Sequence, residues 1–374
     1  MIPLLILWHP SRRKTFDMTN KKDLLSIRRE IDLLDLQILS LLNSRGLLAE
    51  KAGKIKTGQN KYKPEREMEI YEKIKNLNKG PLLNQQVINI FKEIISSCRA
   101  IEDELEISFL GPEGTYSDSA TKDHFGSSIK KRPTESIEEV FELVDVGKTN
   151  YGIVPIENST EGSLNSTLDC LNSFNCMICG EIEMKIHHSL MGSNRALPKG
   201  GYEIHAHAQT LAQCKLWLDS HCPNVKRVAV SSNAKAALDA VNSKKILAIA
   251  GSLAAEKYGL EIIQDNIEDY SSNTTRFISI GKEEITATGK DKTSIVVTTK
   301  NERGALYNVL KPIQANNLNL AHITYRPSKS NKWNYSFFLD LEGHMSDQNV
   351  KALFEELKEI NVEVKYLGSY PRTL

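Results

Sequence analysis

Residues 151–163 read Tyr-Gly-Ile-Val-Pro-Ile-Glu-Asn-Ser-Thr-Glu-Gly-Ser. Tyr151–Ile156 is a β-rich run, Glu157 to Ser163 is a small polar loop, and helix-forming sequence follows. The same order recurs where Ile107–Leu110 meets Gly-Pro-Glu-Gly-Thr115-Tyr116-Ser117, and where Ile246–Ala250 meets Gly251-Ser252. Short strands alternating with helical stretches predict an α/β domain with a largely parallel sheet from Glu106 onward. Loops between a strand's carboxyl end and a helix offer backbone N–H groups and hydroxyls to carboxylates. One such loop says little, because these turns need Gly and Ser anyway. Three of them predict a ligand cleft without identifying the ligand.

Toward the N-terminus the texture is helical. Leu24, Ile27, Ile31, Leu34, Ile38, Leu41, Arg45, Leu48, Ala52 and Ile55 recur at alternating steps of three and four on one proline-free helix. That stripe is of heptad type and calls for a partner helix. A guanidinium is costly to bury alone, so Arg45 inside the stripe predicts an anion or a carboxylate beside it. Lys56 lies about 16 Å further along the axis, within joint reach of a small dianion, whereas Arg28 lies about 25 Å behind Arg45. A straight helix cannot bring both arginines to one small ligand, so Arg28 takes part only from a second subunit. A second helix is expected after Pro64, carrying Arg66 and Glu67. A third runs from about Asn84 to Glu102, with the stripe Val87, Phe91, Ile94, Cys98 and Ile101.

Toward the C-terminus, beyond a linker at Glu283–Lys292, the order is strand, helix, strand, strand, helix, strand. The strands are expected near 293–299, 318–327, 333–341 and 361–368, the helices near 304–316 and 346–358. This is the ferredoxin-like order. Gly304-Ala305-Leu306-Tyr307 opens its first helix with free backbone donors.

Bulk properties exclude several classes. The 374 residues carry 48 basic and 47 acidic side chains, so no global charge favours nucleic acid or an anionic membrane. No apolar run approaches the roughly 18 residues of a membrane span. The Ile2–Trp8 run precedes its basic residues, the wrong order for a secretory signal, so residues 1–17 read as an extension or a misassigned start, with Met18 an alternative initiator. Six cysteines in a chain this long make no disulfide framework, and a reducing cytoplasm is the expected location. Cys176 and Cys179 sit in an apolar segment and read as packing. His205 and His207 have ligand-like spacing without acidic or cysteine partners, so no metal and no cofactor are expected. One of His187 and His188 is expected at a core or lobe junction.

Three resemblances sharpen this reading. LLSIRREIDLLDLQILSLLNSR, EKAGKIK and PERE resemble the all-helical chorismate mutase family over 18–104. FLGPEGTYS, GIVPIENSTEGS, IHHSL, HAQTLAQC and NTTRF at Asn273–Phe277 resemble prephenate dehydratase, in family order, over 105–284. KTSIVVTTKNERGALYNVL, YRPSK and FFLDLEGH resemble an ACT regulatory domain over 290–374. The implied architecture is multidomain: an all-α mutase, a two-lobed α/β dehydratase like a periplasmic binding protein, with crossovers near Ile186 and Asp269, and an α+β ferredoxin-like ACT domain.

The mutase resemblance implies an intertwined dimer, or a higher homo-oligomer, that borrows an arginine from its partner. It implies substrate contacts by Arg28, Arg45, Lys56, Arg66, Glu67, Cys98 and Glu102. Lys56, with a protonated Glu102, is expected to donate to the ether oxygen of chorismate as it rearranges. Lys63 stands where some family members carry Asp. The dehydratase resemblance implies that Thr275 donates a proton or hydrogen bond to the departing hydroxide of prephenate. Thr115, Ser117, Glu157, Asn158, Ser159 and Gln213 are expected around the substrate, and Arg276 on its pyruvyl carboxylate. The ACT resemblance implies phenylalanine feedback through Gly304, Ala305, Leu306 and Arg326. Thr324-Tyr325-Arg326-Pro327 replaces the usual Glu-Ser-Arg-Pro. Two alternatives stand beside this reading. One is a dehydratase preferring arogenate. The other is a non-catalytic amino-acid-sensing binding protein, against which Thr275 and the filled mutase positions argue.

Overall fold

In the computed structural model, which describes residues 14–56, 62–160, 162–194, 201–327, 334–360 and 362–372 with side chains from residue 23 onward, helix α1 (Lys14–Ile55) is one rod of 42 residues. It belongs to a first compact unit, 1–61, distinct from a second, 62–374. Leu24, Ile27, Ile31, Leu34, Ile38, Leu41 and Leu48 are all exposed along it. The stripe read from the sequence is therefore an apolar seam that α1 does not bury by itself. Most of the expected N-terminal extension, and most of the loop before Lys63, lie outside the described residues.

The second unit opens with α2 (Pro64–Leu77) and α3 (Asn84–Glu102). Pro64 starts α2 where a missing N–H costs nothing. The two helices pack through Tyr71, Ile88 and Ile95. Arg99 of α3 is buried; it donates to Glu67 at 2.6 Å and to the Phe125 carbonyl oxygen at 2.5 Å, with its guanidinium over the Tyr62 ring.

The first lobe contains β1 (Glu106–Leu110), α4 (Tyr116–Phe125), β2 (Lys130–Thr134), α5 (Ile137–Asp145), β3 (Tyr151–Asn158), the short β4 (Gly162–Ser163), α6 (Asn165–Ser173) and β5 (Met177–Lys185). The chain then builds a second lobe from β6 (Ser189–Gly192), β7 (Glu203–His207), α7 (Ala208–Gln213), α8 (Lys215–His221), β8 (Lys226–Val230), α9 (Asn233–Asn242), β9 (Ile246–Ala250), α10 (Ser252–Tyr258) and β10 (Glu261–Gln264). It returns to the first sheet as β11 (Thr274–Gly281). The first sheet has the order β2-β1-β3-β11-β5, with β4 beside β3; the second is β10-β6-β9-β7-β8. Within the first, β1, β2 and β3 are parallel, and β11 runs antiparallel to both β3 and β5. Thr115, Ser136 and Ser232 cap α4, α5 and α9 with their hydroxyls. Cys176 and Cys179 are buried beside β5, and burial pushes the Cys176 thiol up to about 12.

A third sheet is formed by β12 (Asp291–Thr299), β13 (Leu320–Pro327), β14 (Tyr335–Glu342) and β15 (Glu363–Pro371), in the order β13-β14-β12-β15. Helices α11 (Ala305–Ala315) and α12 (Gln348–Glu359) cover one face, over Val297, Val309, Leu339, Leu353 and Leu357. The other face shares a core with the first lobe: Val154, Ile178 and Ile278 pack with Val296, Phe338, Leu367 and Tyr370. The third sheet is thereby covered on both sides except along β13, where Ile323 and Tyr325 are exposed, and one side is the back of the first lobe.

The close approach of β15 to β5 depends on Gly368. Its φ of +131° suits glycine, and an added Cβ would meet the Ile178 backbone, 3.0 Å from the nitrogen. Gly368→Ala should cost about 3 kcal/mol through combined strain and overpacking. An unchanged urea midpoint would show that the two sheets separate freely there.

His124 makes stability pH-dependent. It is half-buried, its Nε2 lies 3.1 Å from the Tyr62 hydroxyl, and desolvation, helped by Lys92 and Arg99, pulls its pKa down to about 3. Between the ordinary imidazole value of about 6.5 and that value, the unfolded chain takes up a proton that the folded chain refuses. Stability should therefore fall as pH falls, by at most about 1.4 kcal/mol per pH unit from this group. Urea unfolding near pH 7 and near pH 5 measures the slope. His124→Phe should flatten it, and an identical slope would refute the assignment.

Candidate functional site

The two lobes face each other across a cleft of about 200 Å³, into which the carboxyl ends of β1, β3, β7, β8 and β9 open. Open α/β sheets bind ligands at such ends. Thr115 and Tyr116 approach from the start of α4, and Ser232 and Asn233 from the start of α9. Two helix N-termini, one from each lobe, thus point partial positive charge inward. No Lys, Arg, Asp or Glu is among the described residues that line the cleft. An anion there meets neutral donors: hydroxyls, amides and backbone N–H groups.

Thr275 and Asn158, both nearly buried, sit opposite each other on β11 and β3 and turn into this space. The Thr160 backbone N–H donates to Asn158 Oδ1 at 3.0 Å, which fixes the amide's orientation. Asn158 Nδ2 therefore donates to Thr275 Oγ1 at 2.8 Å and to Asn273 Oδ1 at 3.0 Å. A threonine oxygen that accepts this bond keeps its own hydrogen to donate.

A second chain of hydrogen bonds joins the cleft to the crossovers. Asn273 Nδ2 donates to Gln213 Oε1 at 3.3 Å, and His188 Nε2 lies 2.8 Å from the same oxygen. Burial holds the His188 imidazole below its ordinary pKa, with Gln213 and Glu268 pulling the other way. A neutral ring that donates from Nε2 to Gln213 has an acceptor at Nδ1, and the Tyr116 hydroxyl, 2.8 Å from it and 2.7 Å from the His187 carbonyl oxygen, has one proton to divide between the two. Gln213 Nε2 closes the circuit on Thr160 Oγ1 at 3.3 Å.

Of the expected dehydratase residues, Thr115, Asn158, Gln213 and Thr275 line the cleft. Ser117 is buried in α4 behind it. Ser159 accepts from the Thr274 N–H at 2.9 Å and fastens the loop after β3 to the start of β11. Tyr116, His188 and Asn273 were not among the expected ligands. Each stands inside a quoted motif, and only the fold shows which way its side chain turns.

Several expectations require correction. Arg276 does not reach the cleft. Neighbouring strand residues point to opposite faces, so with Thr275 forward Arg276 points backward. There its Nε lies 3.1 Å from Glu181, and its Nη2 lies 2.6 Å from Asp340 Oδ2 and 3.1 Å from the Tyr370 hydroxyl. The Asp340 contact is one of charge, off the N–H direction. Burial works against the Arg276 charge, and Asp340, Tyr370 and Glu181 more than offset it. Glu157 likewise faces backward, 3.6 Å from His322 of β13. Arg326 is spoken for as well, in a bidentate pair with Asp169 of α6 at 3.1 and 2.7 Å.

The expected mutase residues fall in both units. Arg28, Arg45 and Lys56 lie on or just beyond α1 in the first, with Arg28 exposed. In the second, Arg66 pairs with Glu69 on the surface at 2.6 Å, Cys98 is buried, and Glu102 ends α3. Glu67 does not present a free carboxylate. It accepts from Arg99 and from the Tyr71 hydroxyl, and burial pushes its pKa up against the pull of Arg99. Gly304 holds the left-handed conformation before α11, with φ +78°, and Ala305 and Leu306 form its first turn.

Comparison with known proteins shows the family of the chain. The prephenate dehydratase family matches residues 107–285, and the chorismate mutase type II family matches 27–103. A bifunctional chorismate mutase/prephenate dehydratase of Stutzerimonas stutzeri is 44% identical over 364 residues, spanning 96% of this chain and 100% of that one. That of Aquifex aeolicus is 40% identical over 359 residues, spanning 94% and 99%. Among solved structures, a prephenate dehydratase from Arthrobacter aurescens in complex with L-Phe superposes with a TM-score of 0.65 at 31% identity, covering 72% of this chain and 90% of that one. With two family matches in order over 27–285 and relatives aligned nearly end to end, the chain belongs to the bifunctional chorismate mutase/prephenate dehydratase family.

Proposed function

We propose that Thr275 is the group that helps hydroxide leave prephenate, and that its position in the cleft with Asn158 behind its oxygen carries this reading. As the ring C–O bond breaks, the Thr275 proton moves toward the departing oxygen. The Asn158 amide steadies the threonine oxygen as it gains charge. The bond to the ring carboxylate breaks in the same process; its electron pair completes the aromatic ring, and carbon dioxide, water and phenylpyruvate result. Neutral donors at the starts of α4 and α9 hold the carboxylates.

The mutase reaction is a unimolecular rearrangement, so its site compresses the substrate and stabilises charge on the breaking ether. Arg45 and Lys56 hold chorismate, Arg28 comes from a second copy, and Lys56 with Glu102 serves the ether oxygen. The exposed seam of α1 supports a homodimer, because a second α1 is the partner that a heptad stripe accepts. The protein acts in the cytoplasm.

Two substitutions separate the reactions. Thr275→Val keeps shape and removes the hydroxyl. Phenylpyruvate formation should fall about 100-fold or more while chorismate turnover persists. Lys56→Ala should do the reverse. The assay supplies chorismate, prephenate and arogenate separately and follows products by mass spectrometry. A Thr275→Val chain that kept most of its dehydratase turnover would sink the assignment, and faster consumption of arogenate would move the substrate preference to it.

The third sheet with α11 and α12 acts as an ACT sensor. Gly304, Ala305 and Leu306 offer backbone N–H groups at a helix start, where an amino-acid carboxylate is favoured. Phenylalanine should lower dehydratase turnover and raise the melting temperature. A typical coupling of about 1–3 kcal/mol corresponds to roughly 5- to 150-fold. If phenylalanine moved neither quantity, the sensor reading would be wrong.

A further inference from the structure

The back of the dehydratase sheet holds a buried charge cluster that the two reactions do not use. Arg276 of β11 meets Glu181 of β5 and Asp340 of β14. Glu181 also accepts from Lys292 of β12 at 2.9 Å. Asp340 Oδ1 accepts from Ser294 at 2.6 Å, and the Tyr370 hydroxyl lies 2.8 Å from the same serine and accepts from Arg276. Two cations and two carboxylates balance; Arg276–Glu181 ties β11 to β5, and the other contacts join those strands to the third sheet or tie that sheet's own strands together.

The backbone in front of the cluster is irregular. Along the β3–β11 ladder the register shifts between Arg276 and Phe277: Arg276 faces Glu157, while Phe277 faces Pro155. Pro155 has no N–H to give the ladder, and bulges are where sheets accommodate proline. A bulge loosens pairing and re-aims side chains. It lies just beyond Arg276 on the β3 side, so there the start of β11 is held by its regular ladder with β5 and by what grips Arg276 from behind. Both cleft residues have a neighbour gripped from behind. Arg276 follows Thr275 and meets Asp340; Glu157 precedes Asn158 and lies near His322 of β13.

We propose that Arg276 is a positioning residue for the dehydration: the Arg276–Asp340 contact anchors the start of β11, opposite the bulge at Ile156 of β3, to the third sheet and so aims the Thr275 hydroxyl at the departing oxygen. The C-terminal sheet is then a working part of the dehydratase site. The inference rests on Thr275 being the donor. It gives the residue after that threonine in the Thr-Arg-Phe segment a role away from the substrate, and displacements of about 1 Å from such a support cost on the order of 100-fold in rate.

The test uses the full chain with Asp340→Asn, which keeps size and removes the charge, alone and combined with Thr275→Val. Prephenate kcat and KM are measured, with melting temperature and chorismate turnover as checks on folding. Asp340→Asn should lower dehydratase kcat at least about 10-fold, with KM and chorismate turnover within about two-fold. In the Thr275→Val background it should change the residual rate less than about two-fold, because the group it aims is gone. A purely structural contact predicts the same fractional loss in both backgrounds, and that result overturns the proposal; so does a kcat loss below 10-fold in the Thr275 chain. If Asp340→Asn does not fold, Arg276→Lys, which retains the charge but not the fork, is judged by the same two criteria. Should Thr275→Val alone leave turnover intact, the donor assignment fails instead, and the two failures are told apart.

Discussion

A β-strand sends successive side chains to opposite faces, and β11 uses that rule to do two things with adjacent residues. Thr275 faces the cleft, accepting from Asn158 with its hydrogen left to give. Arg276 faces the opposite way into a neutral cluster of two cations and two carboxylates. Neither arrangement survives a slip of one residue, because a slip would put the guanidinium in the cleft and the hydroxyl among carboxylates. Residues on both sides of the sheet therefore specify the register of β11. The cluster is expensive to desolvate in isolation, and its value lies in fixing that register more than in net stability.

Much of this architecture is legible in the sequence. The alternation of β-rich runs and polar loops around 107–117, 151–163 and 246–252 corresponds to β1, β3 and β9 and the helices after them. The C-terminal order of strands and helices corresponds to β12 through β15 with α11 and α12 between them. Local periodicity and turn residues encode these elements, so reading along the chain finds them. What reading along the chain does not find is direction across it. Arg276, Glu157 and Arg326 each sit in a motif, and each was expected on a ligand; all three instead bind or face a neighbouring element of the same chain. Strand alternation alone would have separated Thr275 from Arg276. The partners Asp340, Glu181 and Asp169 lie 64, 95 and 157 residues away from them, and no local signal names such pairs.

The helical part shows the complementary limit. The stripe on α1 is regular enough to be read as a seam, and its leucines and isoleucines are exposed in the single chain. Glu67 went the other way: an acid at a family position has found Arg99, three residues before the end of α3, and Tyr71 one turn further along α2. Carboxylates near a buried guanidinium are drawn to it, because leaving either one unpaired costs several kcal/mol.

Among the described residues that line it, the cleft carries no Lys, Arg, Asp or Glu, and this bears on the dehydration itself. A cation fixed on the ring carboxylate would hold the ground state more tightly than the transition state, in which that group is becoming neutral carbon dioxide. Helix N-termini and amides bind a carboxylate without so strong a preference for its full charge, and they are already oriented, so no reorganisation accompanies the reaction. Charge is nevertheless abundant directly behind the same strands, at Arg276, Glu181, Lys292 and Asp340. The sheet thus separates two electrostatic environments by the thickness of one strand: a neutral donor face where bonds to anions must loosen, and a paired ionic face where nothing needs to move.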